Sequence, residues 1–273
     1  MLITKINGEK EEFDKSKLAE SLTRAGVDEI TRNEIVAHIE AELTASMTTR
    51  DIYHHAYVLL AKKGKKEAAK YSLRRAVLDM GPSGFAFEQL VANIYKQKGY
   101  TVITDSYVKG HCVEHEMDII AHKGDELLMI EAKFHNQDGM KSDVKVALYV
   151  KARFDDLHNA DFSYGDAKKL TKGILITNTK YTHTAIEYAK CVGLNIIGWN
   201  YPHEYNLQDM IQEAGLHPIT CLNNISKKEK ESLLEKNIIL LKDLQSRSET
   251  MNELGMDKEK QRNVLNEIKE IIN

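Results

Sequence analysis

The chain has 273 residues, of which 42% are hydrophobic and 29% charged, and its formal net charge is -3. That is enough apolar material for one α/β core with smaller attachments, and no apolar run reaches membrane-spanning length. The charge balance excludes a histone-like basic tail, so any contact with nucleic acid must rest on local cationic surface and be salt-sensitive.

The first segment, residues 1–80, opens on Met1-Leu2-Ile3-Thr4-Lys5-Ile6, which meets a charge at once and does not read as a secretory signal. Asn7-Gly8 is the strongest two-residue hairpin signal. Helical periodicity follows over residues 15–24, 32–43, 49–62 and 65–78. The string from Ile3 to Leu18, with Lys5, Asn7-Gly8, Glu11, Phe13-Asp14 and Lys17, resembles an ATP-cone domain, a mainly helical module that binds ATP or dATP as an effector. The resemblance implies a nucleotide site at Lys5, Glu11, Asp14, Lys17, Thr49 and Tyr53. Lys5 and Lys17 can converge on a polyphosphate, while Glu11 and Asp14 offer acceptors to sugar or base. Thr49-Arg50-Asp51-Ile52-Tyr53 fits the third-helix motif, with Tyr53 where the family often carries histidine. His54 is adjacent but points about 100° away around the helix. The lysine-rich turn Lys62-Lys63-Gly64-Lys65-Lys66 either reaches phosphate or is simply solvated, and Arg74 and Arg75 lie near the last helix's end.

Asp79-Met80-Gly81-Pro82-Ser83-Gly84 is a breaker cluster, with Ser83 as the expected N-cap of an amphipathic helix running to Tyr95. Past Gly99-Tyr100 the pattern turns to strands. Met117-Asp118-Ile119-Ile120 and Leu127-Leu128-Met129-Ile130-Glu131-Ala132-Lys133 are two runs joined by a turn at His122-Lys123-Gly124-Asp125. Strand alternation puts Glu131 and Lys133 on one face and Ala132 on the other. A four-residue loop, Lys123 to Glu126, pairs Asp118 with Glu131; a two-residue loop is expected to shift the pairing by two and keep the face. Carboxylates about 5 Å apart repel by roughly 3 kcal/mol at an effective dielectric near 20, a conflict that a bound divalent cation relieves. The competing reading is a surface salt-bridge ladder, since acid-x-lysine also occurs at Asp143, Asp166 and Glu267.

Other residues in this stretch admit two readings. His111-Cys112-x-x-His115 crowds the approach to Asp118, yet no second ligand pair stands at zinc-finger spacing, so it reads as a rim loop. His135 and Asn136 either touch a phosphate or close a strand-end turn. Lys145, Tyr149 and Arg153 recur every four residues along a helix, presenting two cations and a phenol to a phosphate backbone or to solvent. Gly173-Ile174-Leu175-Ile176-Thr177 reads as a buried strand, residues 182–191 as a helix, and Gly193 to Gly198 as a further strand.

Taken in order, Phe87-Glu88, Gly99-Tyr100, Met117-Asp118, Glu131-Ala132-Lys133 and the late Ile-Thr strand resemble the Mrr-like restriction endonucleases of the PD-(D/E)xK nuclease superfamily and the related Holliday junction resolvases. The resemblance spans residues 84–199 and implies an αβββαβ core. It makes Asp118 and Glu131 the ligands of Mg2+ or Mn2+, Lys133 the catalytic lysine and Glu88 an accessory acid. For Glu88 alone, a solvated helix side chain is the plain alternative.

Beyond Tyr201-Pro202 the chain reads as a helical array over residues 203–273. Ser226 caps one helix, and Leu254-Gly255-Met256 turns into a final helix over 257–272. The array is loosely similar to helix-hairpin-helix domains, with dimerisation or simple packing equally open. The expected protein is therefore α/β, with a restriction-endonuclease-like core at 81–202 between an ATP-cone domain at 1–80 and a helical segment. Its expected role is a magnesium-dependent DNA endonuclease regulated by an adenine nucleotide. A non-catalytic, nucleotide-sensing DNA-binding protein and a dimeric junction resolvase are the alternatives. No Walker A string is present, so ATP would be a signal and not fuel. Homo-oligomers are expected. Three cysteines form no disulfide framework and point to the cytoplasm.

Overall fold

In the computed structural model, which describes residues 1–5, 8–44, 46–137 and 139–272, the chain begins with a short antiparallel hairpin, β1 (Leu2–Thr4) and β2 (Lys10–Glu12). Asn7 of the expected turn lies outside the described residues, while Gly8 sits at φ +85. Four helices follow: α1 (Lys15–Arg24), α2 (Glu29–Glu42), α3 (Thr49–Ala61) and α4 (Lys65–Leu78). The first three start at side chains that accept otherwise orphaned amides: Asp14 from Ser16, Asp28 from Thr31, and Thr48 from Asp51 in a reciprocal capping box, whereas α4 starts at Gly64 with no side-chain cap.

The central unit starts with α5 (Phe85–Gln97), whose N-cap is Gly84 and not the expected Ser83. Strands β3 (Thr101–Lys109), β4 (Glu114–Lys123) and β5 (Glu126–Lys133) form an antiparallel meander. After β6 (Lys141–Ser142), α6 (Val144–His158) crosses over to β7 (Lys172–Thr177). Next come β8 (Lys180–Tyr181), α7 (His183–Val192) and β9 (Asn195–Ile197). The five-stranded sheet has the order β3-β4-β5-β7-β9, with β7 and β9 parallel to β5. Strand β5 is covered on both faces, which explains its unbroken apolar run. Leu128, Ile130 and Ala132 pack toward α5 with Phe87, Leu90 and Val91. Leu127 and Met129 pack toward α6 and α7 with Ala147, Val150, Phe154 and Ala185.

The last stretch comprises α8 (Leu207–Ala214), α9 (Lys227–Glu235), α10 (Leu241–Ser246), α11 (Thr250–Glu253) and α12 (Lys258–Ile272). Ser226 caps α9 in a box with Glu229, and Gly255 turns the chain into α12 at φ +69. Glu267, only 2% exposed, accepts from the backbone and side-chain amides of both Asn223 and Asn224 at 2.8–3.1 Å, pinning α12 to the loop before α9.

The three stretches are joined through α4. Ala68 and Tyr71 pack into the N-terminal core, Ala69 into the C-terminal one, and Leu73, Ala76 and Val77 into the core of the sheet. Thr220 adds a 2.6 Å bond to the carbonyl of Ala76. No helix among the described residues is long and apolar enough to cross a membrane.

Candidate active site and nucleotide cleft

The turn between β4 and β5 is the two-residue pair Gly124-Asp125, flanked by Lys123 opposite Glu126. The same register runs through Ile119 opposite Ile130 and sets Asp118 across from Glu131 one step further on, so the shift expected of a two-residue loop does not arise. Simple alternation, however, breaks at Asp118. Met117 and Ile120 lie in the α6-side core, whereas Ile119 and Ala121 lie in the α5-side core. Across the ladder, the β3–β4 pairing skips Asp105, which takes φ +50, a conformation costly for a residue other than glycine. Asp118 Oδ2 accepts the Ala132 N–H at 2.7 Å, so a side-chain oxygen stands in for a main-chain acceptor and holds the carboxylate rigidly.

Glu131 is 18% exposed and paired with Arg153 of α6. Arg153 also donates to the Glu116 carbonyl at 3.0 Å and to the Tyr149 hydroxyl at 2.7 Å, and its guanidinium carbon lies 4.9 Å from the Tyr149 ring centre. Its Nε is buried without a hydrogen-bond partner. Glu88 projects from the first turn of α5 over Gly84, where an added methyl would lie 2.8 Å from Oε1. Burial, then the charges of Asp118, Asp105 and Glu131, push Glu88 up to about 7. Burial and Asp118 raise Glu131 to about 7 against Arg153 and Lys133. Asp118 itself is raised by burial, against the Ala132 bond and Arg153. Lys133 is exposed at the end of β5, one pleat beyond Glu131.

Behind Lys133 a polar chain fixes the strand end. The backbone of His135 exchanges bonds with the Asn178 amide at 2.8 and 2.7 Å, and its Nε2 lies 3.1 Å from Ser142 Oγ, which reaches Thr177 at 3.3 Å. His135 is therefore tied into the fold, whereas Asn136 is exposed beside it. The His111-Cys112-x-x-His115 segment is pinned by Asp156 of α6. That carboxylate takes the Cys112 and Val113 amides at 2.7 and 3.3 Å and pairs with His115 at 2.7 Å. Although burial opposes it, these bonds hold Asp156 well below the usual carboxylate range. On α6, Lys145 and Tyr149 are exposed as expected, but Arg153 turns inward.

In the N-terminal unit a cleft is lined by Ile3, Glu11, Phe13, Asp14, Lys17, Leu18, Thr49, Ile52, Tyr53 and Tyr71. Five of the six sequence candidates line it. Lys5 does not, but it pairs with Glu11 at 3.1 Å, as does Lys17 at 3.6 Å. Asp14 also caps α1. Tyr53 stacks on Tyr71 with ring centres 5.0 Å apart, and its hydroxyl is buried without a hydrogen-bond partner. His54 is exposed and does not line the cleft. Lys63 pairs with Glu34 and Arg75 with Asp79. Tyr53 and Tyr71 also wall a second cleft with Arg24, Lys70, Arg74 and Trp199, where the N-terminal unit meets the sheet domain.

Residues 1–79 match the family described as ATP cone domain, residues 80–202 that described as restriction endonuclease, and residues 217–272 that described as AF1548-like, C-terminal. A protein of Archaeoglobus fulgidus with no assigned function is 34% identical over 183 residues, which is 67% of this chain and 99% of that protein. The chain belongs to the AF1548-like family. The crystal structure of AF1548, a protein of unknown function, shares 32% identity, with a TM-score of 0.55 over 70% of this chain and 98% of AF1548. Within this AF1548-like chain the restriction-endonuclease fold carries Asp118, Glu131 and Lys133, and the ATP cone carries the first cleft.

Proposed function

We propose that the protein is a divalent-metal-dependent DNA endonuclease whose activity responds to an adenine nucleotide bound in the N-terminal cleft. The observation that carries this reading is the gathering of Glu88, Asp118 and Glu131 into a half-buried group whose protons are held up by burial and mutual repulsion. Such an arrangement costs stability and adds nothing to packing. Its all-oxygen donor set suits Mg2+ or Mn2+, with Asp118 and Glu131 as ligands and Glu88 as an accessory acid. The bound ion would supply charge stabilisation and a water of lowered pKa.

The chain's own residues do the rest. Asp118 is held in place by the Ala132 amide, and Arg153 holds Glu131. Lys133 is placed to orient a water or meet charge developing on a phosphate. Glu88, near 7, is matched to proton transfer at neutral pH. Lys145 and Tyr149 on the exposed face of α6 offer contacts to a phosphate backbone. In plasmid cleavage assays, Asp118→Ala and Lys133→Ala should each abolish magnesium-dependent nicking while circular dichroism stays native. Cleavage persisting in both would remove the assignment.

One observation favours a second reading, a non-catalytic DNA-binding module with a nucleotide sensor. Arg153 already neutralises Glu131 without any ion. That reading predicts DNA binding indifferent to magnesium and no cleavage.

A further inference from the structure

Helices α2 and α3 carry another group of metal-ligating side chains, none of which lines the nucleotide cleft. His38 and Glu42 stand one turn apart on α2, on one face by the helical repeat. His55 reaches across from α3. His38 Nε2 lies 3.2 Å from Glu42 Oε1, and His55 Nε2 lies 3.4 Å from Glu42 Oε2. The two rings meet edge to face, with centres 5.2 Å apart. One ligand atom from each of the three lies within 4.8 Å of the others, and among the described residues no other group of three does this.

The spacing is informative. Zinc ligands at about 2.0–2.2 Å, arranged tetrahedrally, lie roughly 3.4 Å from one another. Each imidazole nitrogen stands at about that separation from one of the two Glu42 oxygens, His38 from Oε1 and His55 from Oε2. Two nitrogens and one carboxylate select zinc, nickel, cobalt or copper over magnesium and calcium, which favour all-oxygen cages. Three protein ligands leave a fourth position to water, and the side chains, 25–51% exposed, leave the ion a way in.

We propose that His38, Glu42 and His55 bind one transition-metal ion of the zinc class and thereby staple α2 to α3. Because α3 also presents Thr49 and Tyr53 to the cleft, the ion would brace one wall of the nucleotide site.

The test uses untagged full-length protein carrying Asp118→Asn, so that the carboxylates of the sheet domain do not compete. After chelator treatment, Zn2+ alone is titrated by calorimetry, with thermal unfolding recorded in parallel. The expected result is saturable binding of one equivalent and a raised unfolding temperature. His38→Ala, His55→Ala and Glu42→Gln should each weaken binding at least ten- to a hundredfold, the loss that even an outer partner of a ligand causes. His54→Ala, next to His55 but outside the group, should leave it unchanged. Absence of saturable binding, or native affinity retained in His38→Ala and His55→Ala, overturns the proposal and leaves a surface ion-pair cluster. Binding of Mg2+ alone, lost in the same variants, overturns the assignment to the zinc class.

Discussion

Replacing Asp118 by asparagine in chelator should stabilise the protein at alkaline pH, an unusual direction for a half-buried polar residue. The amide retains an oxygen for the Ala132 N–H, 2.7 Å from Oδ2 in the native chain, so packing changes little. The charge is what goes. After burial, Asp118 is the largest cause lifting Glu131 to about 7, and it contributes to the same value at Glu88. Unit charges about 5 Å apart repel by roughly 3 kcal/mol at an effective dielectric near 20. Arg153 and the open rim offset about half of that, leaving about 1–2 kcal/mol. All three carboxyls have folded pKa values above their unfolded ones, so the folded state binds more protons between about pH 4 and 7, and stability falls as pH rises through that window. The variant escapes part of this fall. Its advantage should be near zero below about pH 3, where the carboxyls are protonated in both states, and complete by about pH 8. At about 2–4 °C per kcal/mol, scanning calorimetry resolves it. Magnesium should reverse the order, since a ligand at a hundred times its Kd adds about 2.7 kcal/mol to the native chain and little to the variant. A variant less stable than the native chain in chelator at about pH 8, or a gap that ignores pH, would refute the reasoning.

Gly173→Ala should cost about 1–3 kcal/mol in urea unfolding, because its methyl would run into the Phe154 ring. The resulting displacement of α6 should also loosen the neighbouring Arg153 from Glu131, read as a changed pH profile of stability. Glu267→Ala removes the acceptor of four amide bonds and should cost about 2–4 kcal/mol, with protease nicking of α12 preceding global unfolding. Millimolar ATP or dATP should raise the unfolding temperature with the logarithm of its concentration. Lys17→Ala should weaken that binding by about ten- to a hundredfold, and no shift with either nucleotide would sink the sensor reading.

Much of this architecture was legible from local chemistry. The periodicity predicts helices over 15–24 and 65–78, and α1 and α4 have those bounds because Asp14 and Gly64 mark their starts. Helix α2 begins at Glu29, three residues before the apolar pattern does, because Asp28 caps it. The register placing Asp118 across from Glu131 follows from the turn, but the orientation of Asp118 does not. It depends on Asp105 adopting positive φ on a neighbouring strand, which no local pattern signals. The inward turn of Arg153 has a simple origin. Four residues advance a helix by about 40° beyond a full turn, so over eight residues a stripe beginning at Lys145 rolls about 80° toward the core. The clasp of His135 by Asn178 spans 43 residues of chain, and only the polar Thr177-Asn178-Thr179 ending an apolar strand hinted at it.

Helix α4 belongs to three hydrophobic cores at once, and this bears on how the molecule can be divided. A fragment starting at residue 80 loses Leu73, Ala76 and Val77 from beneath the sheet and Ala69 from the C-terminal bundle. The segments carrying Leu207 and Ile219, which pack on α4, would then be uncovered, and such a fragment should be less stable than the full chain. A fragment starting at Lys65 keeps α4 and surrenders only the packing around Ala68 and Tyr71. Mechanically, the seam of the protein runs through Gly64, one helix earlier than the point where one recognisable sequence gives way to the next.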